Sequence, residues 1–65
     1  MTARLLYHIP RAGVIIEWRP TVRAVDARAV DSGEVVRRVY TDSPRRARRI
    51  ARRWAQRIRA TGAVS

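Results

Sequence analysis

The sequence predicts an α+β domain: a small antiparallel sheet of two to four strands followed by one long C-terminal amphipathic helix, a βββα-like order. Three observations carry that expectation. Short β-branched and aromatic runs punctuated by Gly and Pro fill the first forty residues, a single uninterrupted helical period fills the last third, and a chain of 65 residues has room for only one modest core.

The elements follow in order. Leu5-Leu6-Tyr7-His8-Ile9 is a candidate short edge strand ended by Pro10, which cannot donate to a ladder. Val14-Ile15-Ile16-Glu17-Trp18-Arg19, bounded by Gly13 and Pro20, is the best strand of the chain. Trp18 shares one face of it with Val14 and Ile16 and is expected to be packed. The segment from Val22 to Val30 carries two patterns, a strand or a short helix marked by Val22, Val25 and Ala29; it is assigned as a strand. The turn residues Asp31-Ser32-Gly33 would then fold it as a hairpin onto a further strand from Val35 to Tyr40.

The helix is predicted from Pro44 to Ala60. Ser43 is a good N-cap, Pro44 stands at the first helical position where its missing N–H costs nothing, and Gly62 is a C-cap. Ala47, Ile50, Ala51, Trp54, Ala55 and Ile58 form one stripe at helical spacing. Trp54, at its centre, is expected in the core against Ile15 or Val39. The whole is one domain, 1–65, with the ends 1–12 and 61–65 expected to be flexible.

Charge is the loudest compositional signal: fifteen Arg, no Lys, five acidic residues and a formal net charge of +10. So large an excess of one sign calls for an anionic partner. The exclusive use of Arg fits the codon bias of a GC-rich genome, actinobacterial or that of a phage, and also the bidentate fit of guanidinium to phosphate. With no cysteine there is no disulfide or thiolate metal site. No apolar run approaches the ~18 residues of a membrane span, so the chain is expected to be soluble and cytoplasmic.

Eight arginines, Arg45, Arg46, Arg48, Arg49, Arg52, Arg53, Arg57 and Arg59, occupy the polar positions of the helix, joined only by Gln56 among uncharged polar residues. An ordinary solvated face mixes signs and gains about 0.2–0.5 kcal/mol per i,i+4 ion pair; this one has only like-charge neighbours, which cost similar amounts. A surface that weakens its own helix points to an external polyanion, and a phosphate backbone is the commonest. Candidate nucleic-acid contacts are Arg45, Arg46, Arg48, Arg49, Arg52, Arg53, Gln56 and Arg57 on the helix, with Arg37 and Arg38 on the preceding strand. Base readout, where present, would fall to Arg49, Arg52, Arg53 and Gln56. Tyr7 and Tyr40 are open to stacking on unpaired bases.

Catalysis is not expected. His8 is the only histidine and has no ligand-like cluster about it, and the acidic residues Glu17, Asp26, Asp31, Glu34 and Asp42 are scattered. Asp42 has a structural role available at the helix N-terminus and Asp31 one in a turn. There is no glycine-rich phosphate loop, nucleophile elbow or zinc spacing, so neither cofactor nor metal is expected.

The junction Tyr40-Thr41-Asp42-Ser43-Pro44-Arg45-Arg46-Ala47, from an aromatic strand end through a hydroxyl cap to an Ala opening a helix, resembles that of small AP2-type and integrase arm-type DNA-binding domains. The resemblance covers roughly Val22 to Ile58. It implies a sheet that enters the major groove, with Arg23, Arg28, Arg37 and Arg38 as groove readers and the helix as support. Loading the helix with eight arginines departs from that pattern.

The function expected is a small accessory or regulatory protein that binds nucleic acid, DNA first and RNA second. The competing expectation is an interaction protein docking its basic face on an acidic host or virion protein. An amphipathic helix on an anionic membrane ranks last, since the stripe contains three Ala. A homodimer is open as well, through Val14, Ile16 and Val36 on a sheet face the helix does not cover.

Overall fold

The computed structural model describes residues 3–62. Four strands, β1 (Arg4–Ile9), β2 (Val14–Arg19), β3 (Ala24–Ala29) and β4 (Val35–Tyr40), form an antiparallel meander in the order β1-β2-β3-β4, followed by one helix, α1 (Pro44–Thr61). The expected α+β architecture is therefore present with the full four strands. The segment from Val22 to Val30 resolves in favour of the strand: its middle is β3, while Val22 and Val30 lie in the turns at either end. Of the ends expected to be flexible, Arg4–Ile9 is paired in the sheet and Thr61 closes the helix, whereas 1, 2 and 63–65 lie outside the described residues.

Each connection has a local cause. Pro10–Ala12 makes a single 3₁₀ turn that Gly13 ends at φ 66, with the Gly13 N–H donating to the Pro10 carbonyl at 3.0 Å. Gly33 takes φ 74 in the β3–β4 turn. In the β2–β3 turn, the Arg23 N–H donates to the Pro20 carbonyl at 3.2 Å and Arg23 itself adopts φ 55. Left-handed backbone costs an L-residue about 1–2 kcal/mol, so glycine would be the easier occupant.

α1 begins as the sequence signals. The Ser43 side chain accepts from the Arg46 N–H at 3.2 Å, Pro44 follows, and Gly62 at φ 76 donates its N–H to the Ile58 carbonyl. The helix lies over β1, β2 and β3. Ala47, Ala51 and Ala55, four residues apart, are buried together with Ala27 of β3, so a seam of small side chains lets helix and sheet approach closely. Trp54 and Ile58 flank the seam and meet Ile9, Val14, Ile16, Trp18 and Val25. Ile16 and Ile58 are fully buried, worth about 1.5–3 kcal/mol each in transfer from water.

The alternation of β2 settles which residues reach the helix, and it corrects two expectations. Val14, Ile16 and Trp18 point to α1, so the core partners of Trp54 include Val39 but not Ile15, which shares the opposite face with Glu17 and Arg19. Val14 and Ile16 are 2 % and 0 % exposed, which removes them from any open-face dimer contact; Val36, 46 % exposed, is the one member of that trio at the surface.

Candidate nucleic-acid interface

Two arginine-bearing surfaces lie on opposite sides of the sheet. On the uncovered side, Asp26 at the middle of β3 is fully buried beneath guanidinium groups. Arg38, opposite it on β4, donates from Nε to Oδ1 at 2.6 Å and from Nη2 to Oδ2 at 2.8 Å, a bidentate pair. Arg19 and Arg28 approach Oδ2 at 3.3 and 3.8 Å. Glu17, paired with Asp26 across β2 and β3, accepts from Arg28 Nε at 3.2 Å and has Arg19 at 3.7 Å. Asp26, and after it Tyr40, hold the Arg38 guanidinium even more firmly protonated than an ordinary arginine. Three guanidiniums and two carboxylates thus leave this cluster nearly balanced, and a carboxylate buried among them has its charge compensated on every side.

The helix side is the reverse. Arg45, Arg46, Arg48, Arg49, Arg52, Arg53, Gln56, Arg57 and Arg59 are all exposed. Among the described residues, no ion pair involves an arginine of α1. Two of the arginines on this side of the molecule rest on aromatic rings: Arg59 over Tyr7 at 5.7 Å and Arg37 over Trp54 at 5.2 Å. The helix surface divides into two flanks. Towards β1, Arg45, Arg48, Arg49 and Arg52 surround a depression with Tyr7; towards β4, Arg46, Arg53 and Arg57 line clefts with Val39 and Arg37.

The candidate residues therefore separate. All seven candidate arginines of the helix, with Gln56, are exposed, and Arg37 joins them from β4. Arg38, its neighbour in sequence, projects to the opposite face and is committed to Asp26. Of the groove readers implied by the resemblance, Arg28 is likewise engaged by Glu17, while Arg23 stands at the turn, 3.8 Å from an exposed Asp42. Asp42 precedes the cap residue rather than capping the helix itself. His8 lies on an exposed part of β1, and no group of three or more His, Cys, Asp or Glu able to hold a metal occurs among the described residues.

The Asp26 cluster escaped the sequence because it depends on register. Its members are spread from Glu17 to Arg38, and only the pairing of Glu17 with Asp26 and of Asp26 with Arg38 brings them together. The separation of Arg37 from Arg38 was readable, since consecutive strand residues face opposite ways.

No helix of the described residues is long and apolar enough to cross a membrane. Comparison of the chain with protein-family models, curated proteins and solved structures gives no match.

Proposed function

We propose that this protein is a small cytoplasmic nucleic-acid-binding module, with DNA as its first ligand, in an accessory or regulatory role of phage or actinobacterial type. It grips the phosphate backbone through Arg45, Arg46, Arg48, Arg49, Arg52, Arg53 and Arg57, with Gln56 and Arg37 beside them. The observation that carries this is the sorting of charge: Arg19, Arg28 and Arg38 of the sheet are supplied with carboxylates, and among the described residues no helix arginine is paired with one. Like charges on one helix surface repel at i,i+3 and i,i+4, and a polyanion turns that repulsion into attraction.

Binding by about five phosphate contacts predicts a log–log salt slope near −4.5 on duplex DNA, and a loss on the order of 500-fold between 50 and 200 mM salt. Titration of labelled DNA by fluorescence anisotropy over that range measures it. Absence of binding to duplex and single-stranded DNA and to RNA alike, or affinity indifferent to salt, refutes nucleic acid as the ligand. Capture of an acidic protein that persists after nuclease treatment would put the protein-docking alternative in its place.

A further inference from the structure

We infer that the cleft between β4 and α1 is a track for an unpaired nucleic-acid strand, with a base stacked on Arg37. This rests on nucleic-acid binding by the helix surface and narrows it to the single strand. Because α1 lies over β1, β2 and β3, the helix-facing side of β4 is left at the rim: Val35, Arg37 and Val39 are only half-buried. The cleft that results has a volume of 280 Å³ and is lined by Arg37, Val39, Ile50, Arg53, Trp54 and Arg57. It shares Val39, Ile50 and Arg53 with a second, 460 Å³ cleft that Arg46 and Arg49 wall towards the start of the helix. From Arg46 to Arg57 the helix rises about 16 Å, the axial length of about five stacked nucleotides.

The chemistry of this track differs from that of the outer helix surface. Its walls are guanidinium and its floor is apolar, formed by Val39, Ile50 and Trp54, and no carboxylate lines it. A duplex presents phosphate on its outside and keeps its base faces stacked within, so it has no flat base face to lay on such a floor. An unpaired strand has both, and the combination of a cationic groove with flat stacking partners is the general solution for holding one. Arg37 provides the flat partner: its guanidinium carbon stands 5.2 Å from the centre of the Trp54 ring, and the residue is only half-buried at the rim, where a base can reach it. Arg53 and Arg57, one helical turn apart, are placed to take the phosphates on either side of that base.

The test compares a labelled oligothymidine of about 15 nucleotides with a duplex of about 15 base pairs, near the site size of a small single-strand-binding domain. The full chain is used at one salt concentration. The single strand is expected to bind at least 10-fold more tightly than the duplex. Arg37→Lys keeps the charge and removes the plane; it should weaken single-strand binding about 10-fold and duplex binding less than 2-fold. Arg11→Lys, in the β1–β2 turn, should change neither. In a Trp18→Phe background, where Trp54 is the one remaining tryptophan, oligothymidine should quench the emission and duplex should not; this reading stands even where Arg37→Lys perturbs folding. Equal affinity for both forms, or single-strand affinity and Trp54 emission both unmoved, overturns the inference while leaving nucleic-acid binding intact. Binding to neither form overturns both.

Discussion

The uncovered face of the sheet and the outer surface of the helix are both rich in arginine, yet they use it in opposite ways. On the sheet, Arg19, Arg28 and Arg38 close over Asp26 and Glu17, and their charge is consumed in holding the strands in register. On the helix, eight arginines face outward with no acidic residue between Pro44 and Thr61. The difference teaches that in a chain of net charge +10 the count of charge says less than its pairing: what separates the two surfaces is whether their charge is answered from within.

Substitutions can break that contrast in both directions. The largest effect is expected at Asp26→Asn, which leaves three guanidiniums clustered round a neutral amide. Removal of one partner from a buried charge cluster costs about 3–5 kcal/mol, and partial exposure of these arginines puts the loss near the lower figure, about 3 kcal/mol in urea unfolding. A loss under about 1 kcal/mol would mean that the cluster is ornamental to the fold. Next is Ser43→Ala, which removes the hydroxyl that accepts from Arg46 at the start of the helix; about 1 kcal/mol should be lost by the same measurement. The smallest and most telling is Arg52→Glu. It replaces repulsion with attraction towards Arg48 and Arg49, so thermal stability should hold or rise, by about 0.5 kcal/mol, while affinity for DNA falls. A helix arginine whose reversal destabilised the fold would erase the distinction between the two surfaces.

The sequence made the helix legible in full because its signals are local: Ser43, Pro44, the apolar stripe and Gly62 all act within a few residues of one another. Strands were legible where β-branched residues cluster, as from Val14 to Arg19, and ambiguous where alanine dilutes the pattern, as around Ala24, Ala27 and Ala29. Those alanines are small because the helix seam passes over Ala27 and because Ala24 lies buried next to the Asp26 cluster, two tertiary reasons that leave no local trace. Ile15 was misplaced because alternation fixes which residues of β2 share a face but not which face meets the helix: Val14 and Ile16 were expected on the open side, whereas they meet α1 with Trp18 and leave Ile15 on the face of Glu17 and Arg19. The exposed arginines were identified in the sequence, but which of them are free depended on cross-strand pairing more than ten residues apart.

One residue carries a consequence for the history of the chain. Arg23 holds a left-handed backbone conformation that glycine, asparagine or aspartate would enter with less strain, and among the described residues its one ion pair is a long, exposed contact with Asp42. Under selection for folding alone, mutation would carry that codon towards one of the three. Across descendants of this sequence the position is therefore a gauge of constraint: lineages that keep a basic residue there against the backbone's preference are those in which the side chain at the β2–β3 turn is used, and lineages that drift to glycine have released it.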